Sequence, residues 1–318
     1  MTICVDAGGS KCLAILFDER LRRLGVGRSG GVNTNSTSPE DSLRNMDECV
    51  ERLFADFSPS HVDRVYHTFV GPWDAMAERI SRRVTVGEYR PLGEGQAGLF
   101  AGSVRTTGLV ALSGTGSDVF YVKDGVGAGS VGGWGPILGD HGSGWWIGQR
   151  AVSAVVRELD GWGEPTALTG LIWEALGLSH GRDLVPITYR AASPFRQTAS
   201  LAPIVCRAAA AGDAVATAIL TEAGELLAAQ MEALVRRAIV PASERDVTLC
   251  GSVWKGNPTM RAAFAASLRA RGIEAEVRPS RFEPIMAGVA LGLIEAGVHA
   301  DEARVRMEAS FPEYIIES

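Results

Sequence analysis

The chain has 318 residues, 46% of them hydrophobic and 21% charged. That composition excludes disorder as the default and is too long for one ordinary core, so two domains of roughly 100–200 residues each are expected. The net charge of −6 excludes the basic excess usual in a nucleic-acid binder. No apolar run approaches the ~18–20 residues of a bilayer span, and Met1, Thr2, Ile3, Cys4, Val5 and Asp6 lack the basic and apolar regions of a signal peptide. The expectation is a cytoplasmic protein without a membrane partner. The five cysteines, Cys4, Cys12, Cys49, Cys206 and Cys250, are scattered with no Cys-x-x-Cys, which argues against a disulfide framework and a zinc site; they read as small buried hydrophobes.

From the start, Ile3 and Val5 alternate into a turn at Ala7, Gly8, Gly9 and Ser10, and Leu13, Ile15 and Phe17 alternate out of it, which predicts strand, turn, strand. A loop over 29–39, rich in Gly, Ser, Asn and Thr, follows. Leu43, Met46, Val50, Leu53 and Phe54 are spaced for a helix over 40–55, with Ser38 as its N-cap. The stretch 65–70 reads as a buried strand and 96–103 as a short helix. The opening pattern then returns: Leu109 to Leu112 lead into Ser113, Gly114, Thr115, Gly116 and Ser117, and Val119 to Val122 lead away. One such hairpin alone would be an ordinary tight turn; two with matching chemistry suggest two similar halves. Beyond them, helical spacing covers 143–159, 196–211 and 213–239. A strand over 246–250 precedes Gly251 and Ser252, a helix covers 258–271, a strand 274–278, and a last helix follows Pro284. Alternating strands and helices predict an α/β fold with helices on the sheet faces. The expected domains are 1–107 and 108–318, with the last helix from about 284 packing back on the first.

Three motifs could carry chemistry. In the first turn, Gly8 and Gly9 let backbone N–H groups approach phosphate oxygens, Ser10 and Lys11 add donors, and Asp6 could hold a hydrated Mg²⁺ beside them. It is not a P-loop, because the GxxxxGK[ST] spacing is absent. In the second turn, Ser113, Thr115 and Ser117 offer three hydroxyls, and Gly114 and Gly116 admit close approach. The third is the run from Gly132 to Gly148, in which Asp140 can accept two sugar hydroxyls. Trp145 and Trp146 read as packing of the following helix.

In this order, these motifs resemble the N-acetylglucosamine kinase family, which also includes ATPases related to benzoyl-CoA reductase activators. Gly132-Gly133-Trp134-Gly135, then Leu138-Gly139-Asp140, Gly142-Ser143-Gly144 and Trp146-Ile147-Gly148, are the most specific part, and the resemblance runs over nearly the whole chain. It implies a two-domain actin/hexokinase-like (ribonuclease H-like) α/β fold, the first domain an actin-like ATPase domain, with ATP and sugar in an interdomain cleft. It also implies a homodimer and Mg²⁺-dependent phosphorylation of an amino sugar such as N-acetylglucosamine or glucosamine, the 6-hydroxyl being the first candidate.

By position, Asp6, Gly8, Gly9, Ser10 and Lys11 resemble the first phosphate loop. Ser113, Gly114, Thr115 and Gly116 resemble the second, and Gly251 and Ser252 the nucleoside-binding turn. Asn33, Gly133, Trp134 and Asp140 resemble sugar contacts. The family's catalytic aspartate, in an Asn-Asp-Ala type sequence, falls on Glu94 within Leu92-Gly93-Glu94-Gly95-Gln96-Ala97, a carboxylate one methylene longer; Glu94 and Asp6 are the catalytic candidates. His141 stands where the family often has Glu, which leaves the sugar open. An ATPase, or a catalytically weak sugar or nucleotide sensor of the same fold, is the alternative; an iron–sulfur activator would need closely placed cysteines, which the spacing does not offer.

Overall fold

The computed structural model describes residues 1–34, 37–190 and 193–316. The chain packs as two compact units: Met1–Thr106 with Asp124–Val126 and the stretch from Ser280 onward form one, and Thr107–Lys123 with Gly127–Pro279 form the other.

The first unit opens with β1 (Thr2–Ala7), β2 (Cys12–Phe17) and β3 (Arg23–Ser29), then α1 (Pro39–Leu53), β4 (His61–Phe69), α2 (Trp73–Ser81), β5 (Thr85–Pro91) and α3 (Glu94–Ser103). Its sheet has the order β3-β2-β1-β4-β5. The hairpin pairs are antiparallel, and β1/β4 and β4/β5 are parallel. As the spacing predicts, Ser38 caps α1, its hydroxyl accepting from the Asp41 N–H at 3.1 Å, with Pro39 in the first turn where a missing N–H costs nothing. The helix buries Met46, Cys49, Val50 and Leu53 against Ile3, Val5 and Leu16 of the sheet, an apolar stripe at helical period.

The second unit repeats the plan. β6 (Gly108–Ser113), β7 (Ser117–Lys123), β8 (Val126–Gly132), β9 (Val247–Cys250) and β10 (Val277–Pro279) form a sheet of order β10-β9-β6-β7-β8, again with an antiparallel hairpin on one side of the central strand and parallel partners on the other. Between β8 and β9 lie α4 (Gly144–Leu159), α5 (Leu168–Leu176), α6 (Leu184–Arg190), α7 (Pro194–Ala199), α8 (Ala202–Ala210) and α9 (Ala214–Arg237). The continuous helix expected over 196–211 is two, because Pro203 in the first turn of α8 cannot donate its N–H. α10 (Pro258–Ala270) follows β9 and packs on α9 so closely that a Cβ on Gly224 would meet the Met260 carbonyl at 2.6 Å. The strand expected over 274–278 is a three-residue edge ending at Pro279.

From Ser280 the chain rejoins the first unit with a helical turn at Pro284–Met286, then α11 (Ala287–Glu295) and α12 (Ala300–Ser310), the last not foreseen from the sequence. α11 covers the other face of the first sheet. A Cβ on Gly288 would meet Cys4 Sγ and Tyr66 Cβ, each at 2.5 Å, so only glycine fits there.

Candidate active site

Both glycine turns sit at the carboxyl ends of the central strands, where open α/β sheets present their ligand sites. In the first unit, Asp6, next to the end of β1, is in register with Thr68 of β4, and Pro91, the last residue of β5 and three before Glu94, pairs with His67. The turn is closed by the Gly8 N–H donating to the Lys11 carbonyl at 3.0 Å, and the Gly8 carbonyl accepts from the N–H groups of Val32 and Asn33 at 2.8 and 3.2 Å. Gly31 is pressed onto the turn, since a Cβ there would lie 2.2 Å from the Gly9 carbonyl. The loop that carries Asn33 is therefore fixed against the first turn. A Cβ on Gly8, by contrast, would meet nothing within 4 Å, which leaves room for a ligand above the turn.

Lys11 bridges two carboxylates: its Nζ lies 3.0 Å from Glu283 Oε2 and 3.5 Å from Asp6 Oδ2. Burial pushes the Asp6 carboxyl above its usual range, and Lys11 offsets this only in part. Burial works against the charge on Lys11, but Asp6 and Glu283 outweigh it and raise its pKa. Glu283 escaped the sequence reading; it lies 272 residues from Lys11.

Glu94 is the exposed first residue of α3, where the positive end of the helix dipole favours a carboxylate. The helix start is tied down around it. The Gly93 N–H donates to Gln96 Oε1 at 2.8 Å, and Gln96 Nε2 donates to the Gly125 carbonyl at 2.7 Å.

In the second unit the hydroxyls of the β6–β7 turn divide. Ser113, fully buried, donates to the Gly142 carbonyl at 2.8 Å, and Ser117 donates to that of His141 at 2.9 Å. Both therefore hold the glycine-rich loop, and Thr115 is the exposed hydroxyl of the three. Asp140, 8% exposed and at φ +54°, lies beneath the turn. A Cβ on Gly116 would meet its Oδ2 at 2.8 Å. Burial raises the Asp140 pKa, while the backbone N–H groups of Ser117 and Gly135 favour its charge. Asp140 thus latches turn to loop. Trp134, by contrast, is 73% exposed on that loop. Gly133, at φ +69°, leaves no room for a Cβ, which would lie 2.6 Å from Asp118 Oδ2. Asp118 is a second residue the sequence reading missed, although it directly follows Ser117.

Gly251, at φ +104°, packs so tightly that a Cβ would lie 2.1 Å from the Ser113 carbonyl. The Gly251-Ser252 turn and the β6–β7 turn are thereby one surface. Both open on a cavity of about 450 Å³ lined by Gly114, Thr115 and Gly144 together with Pro203, Ser252 and Val253.

The model of the BadF/BadG/BcrA/BcrD ATPase family matches residues 3–290. The chain belongs to this family. Among relatives, an N-acetylmuramic acid/N-acetylglucosamine kinase of Clostridium acetobutylicum is 29% identical over 260 residues, 79% of this chain and 84% of that protein. An N-acetyl-D-glucosamine kinase of Dictyostelium discoideum is 28% identical over 193 residues, 58% of this chain and 59% of its own length. A solved putative N-acetylglucosamine kinase from Chromobacterium violaceum superposes with a TM-score of 0.69 at 24% identity, covering 92% of this chain and 98% of that one. A ROK family glucokinase from Streptomyces griseus, solved with glucose and AMPPNP, superposes at 0.55 with 16% identity, covering 91% and 96%. These likenesses establish the actin/hexokinase-like α/β fold, with its two five-stranded sheets, for this member of the ATPase family.

Among the described residues no three His, Cys, Asp or Glu side chains gather as a metal cage. The donor available in the first turn is the single carboxylate of Asp6. Such a set fits Mg²⁺, which keeps several waters and takes its other ligands from phosphates, and does not fit a protein-caged metal.

Proposed function

We propose that the protein is an ATP-dependent kinase that phosphorylates a hydroxyl of an amino sugar such as N-acetylglucosamine or glucosamine. The observation that carries this reading is the duplicated turn: each sheet ends its central strand in a glycine-rich hairpin with a free approach, above Gly8 in one unit and above Gly114 in the other. The kinase names of the two relatives support the amino sugar.

In this reading the turn of Gly8, Gly9 and Ser10 and that of Gly114, Thr115 and Gly116 each bind phosphate oxygens through backbone N–H groups, and Lys11 adds a positive charge. Ser113 supports the second turn from beneath. Gly251 and Ser252 hold the nucleoside. Asn33, Gly133 and Trp134 contact the sugar, with Asp140 fixing the loop of Gly133 and Trp134. The sugar oxygen attacks the γ-phosphorus, the bond from that phosphorus to the β,γ-bridging oxygen breaks, and ADP leaves. The proton of the hydroxyl passes to the Glu94 carboxylate, which also aligns it. Mg²⁺, held through water by Asp6, would supply charge neutralisation on the phosphates. Lys11 shares itself between Asp6 and Glu283, so phosphate binding would exchange one anionic partner of the ammonium for another.

On the same family reading we place the protein in the cytoplasm as a homodimer, its first unit the actin-like ATPase domain. Light scattering on the purified protein reads the oligomer directly. The function is tested by ADP release with N-acetylglucosamine, glucosamine, other hexoses and cyclitols as acceptors. Sugar-dependent release with an amino sugar supports the kinase; release that ignores every acceptor overturns it in favour of an ATPase.

A further inference from the structure

Helix α4 carries apolar residues on two faces. One face, with Trp146, Ile147, Ala151 and Val155, is buried in the core of the second unit. The other, with Trp145, Val152 and Val156, keeps the same helical period but is only half-buried at the first two and exposed at Val156. That second face is one wall of a cavity of about 640 Å³, within the ~300–1,000 Å³ of small-molecule sites. Val185 and Tyr189 of α6, Phe195 and Thr198 of α7, and Trp162 beyond the end of α4 supply the other walls. Trp145 meets Phe195 edge-to-face with centroids 6.2 Å apart. Arg157 lies over the Trp162 ring, 5.6 Å from its centre.

Arg157 is half-buried and forms no ion pair among the described residues. The described lining holds no carboxylate, and its other polar side chains are neutral. Aromatic walls favour a flat ring, and a guanidinium favours a carboxylate, which it can hold by two parallel hydrogen bonds. We propose that this cavity is a ligand site of its own, for a small aromatic carboxylate, and that α7 couples it to the cavity beside the Gly114-Thr115 turn. Helix α7 separates the two: Phe195 and Thr198 line the aromatic cavity, Arg196 and Ala199 the other. It also lies directly on α4, since a Cβ on Gly148 would be 2.0 Å from the Thr198 carbonyl. At the start of α4, Gly144 lines one cavity and its neighbour Trp145 the other. A ligand pressed against Phe195 and Thr198 therefore bears on the backbone that lines both. The site stands without the kinase reading; only the coupling to nucleotide rests on the assignment of Gly251-Ser252 to the nucleoside.

The test is calorimetric titration of the full chain with naphthoate, with naphthalenemethanol as its uncharged counterpart and octanoate as its aliphatic one. Naphthoate should bind with a dissociation constant of about 1 mM or tighter, and each counterpart about fivefold more weakly or worse. Trp162→Ala should weaken both naphthalenes, and Arg157→Gln the carboxylate alone, each by about fivefold. Trp162 is exposed, and equal melting temperatures establish that the variants fold. No binding of naphthoate overturns the proposal, as does equal affinity for either counterpart or binding that neither variant weakens. A dimer that Trp162→Ala dissociates also overturns it, because the face would then be an interface between copies. Saturating naphthoate should change the affinity for ADP by about fivefold or more with both bound at once. An unchanged ADP affinity refutes the coupling through α7. Mutual exclusion of the two ligands would put naphthoate in the neighbouring cavity and overturn the separate site. A protein that binds naphthoate but no ADP keeps the site and sinks the nucleotide reading alone.

Discussion

Glu94, the base in the proposed mechanism, has a side chain one methylene longer than aspartate and stands on a helix start fixed by Gln96. A general base contributes about 10²–10⁴-fold, so Glu94→Gln should lower kcat by that factor with nucleotide affinity retained. Glu94→Asp should also fall below the wild type, because misplacing a base by ~1 Å costs as much as 10²-fold. Full activity in Glu94→Gln would move the base elsewhere. The glycines separate into two kinds by what lies above them. A side chain on Gly114 meets nothing within 4 Å, so Gly114→Val should fold normally and lose nucleotide affinity; calorimetry and a melting curve on one sample read both. Gly251 has φ +104° and the Ser113 carbonyl 2.1 Å from a Cβ. Gly251→Ala should therefore lower stability by more than the ~1–3 kcal/mol of backbone strain alone, visible as a reduced denaturation midpoint.

At the scale of elements, β4 and α2 are joined by a ring stack: His67 lies flat on Trp73, centroids 3.4 Å apart and planes at 5°. Burial pushes the His67 pKa down to about 4, against an ordinary value of ~6.5. The folded state thus prefers the neutral ring. Its contribution is complete above pH ~6.5 and is lost as the pH falls towards 4, a loss on the order of 3 kcal/mol. Urea unfolding at pH 7, 5.5 and 4.5 should show that slope in the wild type and a shallower one in His67→Gln; parallel slopes would remove His67 from the acid response. In the second unit Asp213 caps α9, accepting from the Ala216 N–H at 2.8 Å, and ties it to the start of α5 through the Ala167 N–H at 2.6 Å and the Thr166 hydroxyl at 2.9 Å. Asp213→Ala should cost ~1–2 kcal/mol at neutral pH, measured by the same unfolding. What the sequence made legible follows from these local rules. Alternation around Gly8 and around Gly114 marked both hairpins, Ser38 marked the start of α1, and apolar spacing over 143–159 marked α4, whose cap is Ser143. What it hid depends on sheet pairing and chain return. Asp118 is recognisable only once Gly133 folds over it, and Glu283 only once the chain comes back to Lys11. The break between α7 and α8 was readable in principle from Pro203.

For the molecule as a whole, the stretch from Ser280 is part of the first unit's interior. Phe282 and Phe311 are fully buried, and Phe311 meets Phe17 edge-to-face at 5.8 Å. The Glu295 carboxylate joins Arg64 of β4 and Arg90 of β5 at 2.8 and 2.6 Å and accepts from the Tyr66 hydroxyl. Ending the chain after Pro279 should therefore strip one face of the first sheet, exposing Cys4, Tyr66 and Phe17, and remove the Lys11 partner Glu283. The expected outcome is an aggregating product that binds the dye ANS, while the second unit, whose core lies within Thr107–Pro279, keeps its own unfolding transition. A soluble truncated chain with both transitions intact would contradict this.

The threading of the second unit through the first also fixes an order of events on the ribosome. Synthesis proceeds at about 5–20 residues per second, and the second unit has all its strands once Pro279 has emerged. The first sheet is made earliest but must wait, with one apolar face bare, until α11 is synthesised behind it. The earlier-made half is thus the later to mature, and a chaperone captured on nascent chains should find its substrate in the first hundred residues rather than in the last.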